Sequence, residues 1–216
     1  MESADGVFLV EAHRRAGELQ AHARQKLRAG WLEAVRQEWL QSPKKTNLHE
    51  LYYGNGKSVP RDQTEEIKSK IYGCLKNFAE SSILKEILAI PYIRWKPIDE
   101  LDSFLLEDSL KVWCAVDFAF IDPSGALRII DWKTGKERVD EVKLQLACYM
   151  LYASEKWHMP PQAQRVSAVF LNENARVSDY AMELDELIEA KNTILTSAAE
   201  MRTRLRDVSA NKAAED

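Results

Sequence analysis

VWCAVDFAFIDPSGALRIIDWKTGK, residues 112–136, decides the fold. Its first half, within Lys111–Ile121, is rich in β-branched and aromatic residues in rough alternation, and Leu127–Lys133 repeats the pattern. Both therefore read as strands. Between them Asp122, Pro123, Ser124 and Gly125 form a strong turn signal. Strands joined by so short a turn must pair antiparallel, because a parallel return needs a long crossover. The hairpin places Asp117 on one strand and Asp131 with Lys133 on its neighbour.

Outward from the hairpin the period changes. Residues 141–157 (EVKLQLACYMLYASEKW) read as an amphipathic helix. Arg165–Leu171 and Arg176–Met182 read as further strands, and Leu184–Arg206 as a closing helix buried through Leu187, Ile188, Leu195, Met201 and Leu205. On the amino-terminal side, Glu11–Leu40 carries one apolar stripe through Leu19, Leu27, Trp31, Val35 and Trp39, with an arginine-rich polar face. It reads as one helix, or two broken near Gly30. Residues 48–60 read as a helix end and a surface loop with an Asn-Gly turn. Residues 62–90 are helical with a break at Ser81–Ser82, and Pro91 ends them. Tyr92–Trp95 reads as a short strand, and the acids Asp99, Glu100 and Asp102 as a solvated loop. Trp31, Trp39, Trp95, Trp113 and Trp132 read as packing residues. The order is helices, hairpin, helix, strands, helix: a mixed α/β chain with one sheet.

A chain of 216 residues, 45% hydrophobic and 30% charged, suits one globular domain and excludes a disordered or fibrous class. Three separated cysteines without a paired spacing argue against a zinc site and for a reducing compartment. With no signal peptide and no membrane-length apolar window, the expected location is cytoplasmic, without a membrane. The net charge of -4 excludes general coating of nucleic acid and leaves room for a local basic groove.

Strand alternation puts Asp131 and Lys133 on one face, with the Trp132 side chain on the other and its backbone carbonyl free to face an ion. Two carboxylates and a carbonyl suit a hard divalent cation such as Mg²⁺ or Mn²⁺, which prefers oxygen ligands. A nearby ammonium would then act on a metal-bound water or on phosphate charge. Gln145 and Tyr149 are four apart and share a helical face, so amide and hydroxyl can serve the same site. Thr134, Lys136 and Lys143 add donors at its mouth. Taken singly, Asp131 with Lys133 also fits a surface ion pair. Asp117 inside an apolar run is harder to explain without a partner.

Together, V-x-x-A-V-D at 112–117, I-D-W-K-T at 130–134 and Q-L-A-C-Y at 145–149 resemble the RecB-type branch of the PD-(D/E)XK nuclease superfamily. The firm match covers residues 111–149, and a looser one in element order covers 45–205. The resemblance implies a restriction-endonuclease-like core, a central mixed sheet flanked by helices, within one nuclease-like domain over 1–216. Residues 1–40 would be a helical extension and 209–216 a disordered tail. It implies Asp117, Asp131 and the Trp132 carbonyl as metal ligands, Lys133 as the catalytic lysine, and Gln145 and Tyr149 as support beside the phosphate. It further implies an early-helix histidine, for which His49 is the candidate, with Glu50 and Glu80 as other contributors. Cys114 stands where the pattern usually has glycine. Some members of the branch carry a carboxy-terminal cysteine cluster for an iron–sulfur centre, and the chain reaches Asp216 without one. Either the protein lacks that cluster or the chain is a truncated form; in the second case a missing carboxy-terminal lobe or a protein partner would contribute. The implied activity is metal-dependent hydrolysis of nucleic acid, DNA by resemblance. The alternatives are a catalytically weak nucleic-acid-binding module and a structural or protein-interaction domain.

Overall fold

A computed structural model describes residues 4–53, 59–97, 100–107 and 110–213. The chain forms two compact units, Met1–Leu88 with Leu171–Arg176, and Ala89–Phe170 with Val177–Asp216.

The first unit is helical. Helix α1 spans Ala4–Val35, α2 His49–Tyr53, α3 Arg61–Glu80 and α4 Ser82–Ala89. α1 runs through Gly30 without a break. A Cβ at Gly30 would come within 3.1 Å of Thr46 Oγ1, so glycine there admits the returning chain. The expected stripe is not what α1 buries: Leu27 and Val35 stay exposed, whereas Ala12, Ala16 and Ala34 are buried. Alanines one turn apart allow close helix approach, and α1 packs on α3. After α1, Gln37 adopts a left-handed conformation (φ 53°) and a short 3₁₀ turn covers Glu38–Leu40. The helical break falls at Ser81, whose Oγ accepts the Leu84 N–H at 3.2 Å and so caps α4. The Asn55–Gly56 turn and Asp99 lie outside the described residues.

The second unit carries the strands, β1 Asp102–Leu106, β2 Leu110–Cys114, β3 Phe118–Ile121, β4 Leu127–Lys133, β5 Gln164–Phe170 and β6 Arg176–Tyr180, with α5 Val139–Lys156 and α6 Leu184–Ala213. A four-stranded sheet has the order β3-β4-β5-β6, antiparallel between β3 and β4 and parallel between β4 and β5. α5 is the crossover that the parallel pair requires. The antiparallel hairpin is as read from sequence. Asp122 Oδ1 organises its turn by accepting the N–H groups of Ser124 (2.8 Å) and Ala126 (3.1 Å). Gly125 supplies the positive φ of 89°.

Four local readings need correction. Lys111–Ile121 is two strands, since β2 pairs with β1 in a separate two-stranded sheet while β3 pairs with β4. One straight strand cannot serve two sheets, and the chain bends at 115–117 between them. Tyr92–Arg94 is a 3₁₀ turn closed by the Arg94 N–H on the Pro91 carbonyl, and only Trp95 makes a β-bridge, to Phe120. Asp102 begins β1 and is held by Lys156 (3.0 Å) and Tyr152 (3.2 Å). Trp113, expected to pack, is exposed.

One hydrophobic core joins the sheet to α5. Leu127 and Ile129 of β4, Val166, Ala168 and Phe170 of β5, and Leu146, Met150 and Ala153 of α5 are all buried within it. α6 enters this core through Leu187 and Ala190, with Ile194 and Leu195 partly buried. Ile188, Met201 and Leu205 remain exposed, contrary to the reading of that helix. α6 continues to Ala213, past Ser209 where a tail was expected to begin, and residues 214–216 lie outside the described residues.

Candidate active site

Leu127, Ile129, Asp131 and Lys133 alternate along β4 toward α5, because successive strand residues face opposite sides. The first two complete the apolar core. The last two bring charge to its edge, where β4 ends. Asp131 is 1% exposed. Its Oδ2 lies 2.6 Å from Lys133 Nζ. The same ammonium donates to Gln145 Oε1 at 2.5 Å. Gln145 Nε2 donates to Tyr149 Oη at 2.8 Å, and Tyr149 Oη donates to Asp131 Oδ1 at 3.4 Å. Four side chains thus close a ring, Asp131–Lys133–Gln145–Tyr149, between β4 and α5. The i,i+4 spacing on α5 sets Gln145 above Tyr149.

Asp117 reaches the ring from the bend before β3. The β3–β4 register ends at Phe118↔Ile130, and one further step brings Asp117 opposite Asp131. Its Oδ2 accepts the Trp132 backbone N–H at 2.9 Å, tying the bend to β4. The Trp132 ring lies 6.5 Å from that of Phe118.

Electrostatics follow from this packing. Burial pushes the Asp131 carboxyl above its ordinary range; Lys133 opposes the shift and the Asp117 charge adds to it. Burial and the same two carboxylates push the Tyr149 phenol upward, so it stays protonated and serves as a donor. Cys114, pushed up to about 12 by burial first and by Cys148 and Asp102 next, remains a thiol. That suits packing rather than chemistry.

Among the described residues, no group of three or more histidine, cysteine or acidic side chains gathers to hold a metal. Asp117, whose Oδ2 accepts the Trp132 N–H, and Asp131 supply two carboxylates. That donor set fits an ion that retains several waters, as Mg²⁺ does, and would not suffice for an all-protein cage. Asp131 Oδ2 is buried, with the Lys133 ammonium beside it but no well-directed hydrogen bond. A cation shared with Asp117 would offset the burial that raises the Asp131 carboxyl and the smaller like-charge repulsion from Asp117.

Asp117, Asp131, Trp132, Lys133, Gln145 and Tyr149 are therefore brought together. His49 belongs to the other unit, exposed on α2, its ring 4.7 Å from that of Tyr53. Glu80, also there, pairs with His13 at 3.6 Å, and the Glu50 side chain lies outside the described residues. Thr134 and Lys136 are exposed just past β4, whereas Lys143 is engaged by Glu186 at 2.8 Å. One contact escaped sequence reading: Tyr180 of β6 donates to Glu137, anchoring the segment that follows Lys133. Its partners are 43 residues apart, and no local pattern links them.

A four-stranded mixed sheet flanked by helices is the architecture of restriction-endonuclease-like α/β proteins. The family model for the PD-(D/E)XK nuclease superfamily matches residues 9–215, and the chain belongs to that superfamily. Its members are generally nucleases that use divalent metal ions such as Mg²⁺. Comparison with curated proteins gives no match. Among the described residues, no helix is long and apolar enough to cross a membrane.

Proposed function

We propose that this chain is a divalent-metal-dependent nuclease of the RecB-type branch that hydrolyses phosphodiester bonds of DNA. The observation that carries the reading is the closed ring of Asp131, Lys133, Gln145 and Tyr149 with Asp117 beside it. A buried polar network is costly unless its members satisfy one another, and this one ends in a lysine at the surface of the core. Asp117, Asp131 and the Trp132 carbonyl would hold Mg²⁺ or Mn²⁺. When bound, the ion supplies Lewis acidity and lowers the pKa of water.

The protein's own groups do the rest. Asp131 and Gln145 fix the Lys133 ammonium from two sides, so it meets the phosphate or the attacking water without reorganising. Gln145 is oriented by Tyr149, whose protonated hydroxyl returns a hydrogen bond to Asp131. Asp117 holds the start of β3 against Trp132 and keeps the two carboxylates adjacent. His49 is not required by this reading. Residues 1–216 are taken as one nuclease domain, with 1–40 its helical extension.

The test is cleavage of circular and linear, single- and double-stranded DNA with Mg²⁺ or Mn²⁺, beside a chelator control and Lys133→Ala. Metal-dependent products that vanish in Lys133→Ala support the reading, and the substrate profile separates endonuclease from exonuclease. A folded wild-type protein that cuts no better than the variant overturns it in favour of a binding module.

A further inference from the structure

The first unit contains a groove of about 1050 Å³ along α1 and α3. Its walls are chiefly apolar, and two of the residues that form them, Leu27 and Ile67, are 42% and 45% exposed. Arg24, Lys26, Arg28 and Lys68 also line it, and among the described residues no carboxylate does. In a chain of net charge -4, four cations without an acid mark a local reversal of sign. Arg24 is fixed on the wall by donating to the Tyr72 hydroxyl at 3.2 Å. Lys68 pairs with Glu65 at 3.2 Å, which leaves the α1 side as the more strongly basic wall. Trp31 and Tyr72 add aromatic surface to the groove.

We propose that this groove binds single-stranded DNA, an inference that rests on the nuclease reading for its choice of ligand. Single strands are held by a positive groove that follows the backbone and by aromatic and apolar surface that receives bases. Arg24 and Arg28 are one helical turn apart, about 6 Å along the axis. That is close to the spacing of successive phosphates in a stretched strand. The volume admits a few nucleotides of a single strand. Apolar walls favour the deoxyribose, since a 2′-hydroxyl would lose water there without a partner. The exposed apolar residues, otherwise costly in water, gain a function as the floor for bases.

The experiment is fluorescence anisotropy of a labelled twelve-residue oligothymidylate with the whole chain in chelator, so that binding is read without cleavage. Arg24→Gln/Arg28→Gln is expected to weaken binding by about tenfold or more and to lower the salt slope of log K by about 1.4, two phosphate contacts at about 0.7 each. Ile67→Glu, which puts an acid into the groove, is expected to weaken binding similarly. Circular dichroism and melting temperature check that each variant is folded. Wild-type affinity in both folded variants overturns the proposal, as does tighter binding of a duplex or of an oligouridylate of the same length. Displacement of nothing but an acidic amphipathic peptide assigns the groove to a protein partner and overturns it too. Cleavage lost in Lys133→Ala while the groove variants bind DNA normally leaves the nuclease reading standing and removes this one. Groove-dependent binding without any metal-dependent cleavage does the reverse.

Discussion

Two carboxylate–lysine pairs of nearly equal length occupy the two units. Lys133 lies 2.6 Å from Asp131, and Lys45 lies 2.7 Å from Glu33. Their acids shift in opposite directions. Glu33, a quarter exposed at the end of α1, is lowered to about 2 by Lys45, with the Thr46 N–H and hydroxyl adding donors. Asp131, 1% exposed, is raised because burial outweighs its lysine and Asp117 adds a second negative charge. A short ion pair therefore does not by itself determine how an acid behaves. Solvation and the neighbouring charges decide the sign. The first pair clasps the returning chain to α1, and the second stores an unfavourable charge where a cation would be welcome.

The sharpest way to break the comparison is to remove Lys133. Lys133→Ala should lower metal-dependent cleavage by about 10³-fold, the scale of one preorganised electrostatic group. Single-turnover rates at saturating Mg²⁺ check it, and a loss below tenfold would remove Lys133 from the machinery. Next comes Asp131→Asn: Mg²⁺ should raise the melting temperature of the wild type, and the variant should lose both that rise and cleavage. In chelator at neutral pH, the same variant should melt no lower than the wild type, because its folded-state acid is raised. Asp131 costs stability progressively as pH rises from its unfolded value through its raised one, and the charge remains above both. A marked destabilisation of Asp131→Asn in chelator would show that the Lys133 pair dominates instead.

Smaller effects refine the ring and the clasp. Tyr149→Phe removes the hydroxyl joining Gln145 to Asp131 and should slow cleavage by about fivefold, near the value of one hydrogen bond of about 1 kcal/mol. An unchanged rate would make the hydroxyl a packing group. Glu33→Gln should leave cleavage intact and lower the melting temperature slightly at pH 7. The sign is opposite to that of Asp131: a lowered acid contributes stability above its unfolded value of about 4.5, lost as pH falls through about 2. Melting curves of the two proteins should therefore converge as pH drops across that window. A difference that persists below it would point to shape rather than charge.

How much of this was legible in the sequence depends on how far each contact reaches. Leu127–Lys133 was read to the residue, since alternation and a strong turn fix both ends. The Lys111–Ile121 segment was not, because apolar β-branched residues satisfy either of two ladders equally well. Its division at 115–117 depends on β1, which begins inside an acidic run that carries no strand signal. α1 misled for a related reason: its large apolar residues trace a stripe, yet close packing on α3 selects the alanines.

The sequence by itself determined the hairpin, the shared face of Asp131 and Lys133, and the one-turn spacing of Gln145 and Tyr149. These follow from periods of two and 3.6 residues, which the backbone imposes wherever the chain is placed. Only the tertiary structure decided that Asp117 leaves its strand to bind the Trp132 N–H, that the ring closes between β4 and α5, and that Asp131 rises while Glu33 falls. Burial and the company of other charges are properties of a place in the fold, and no spacing along the chain encodes them locally.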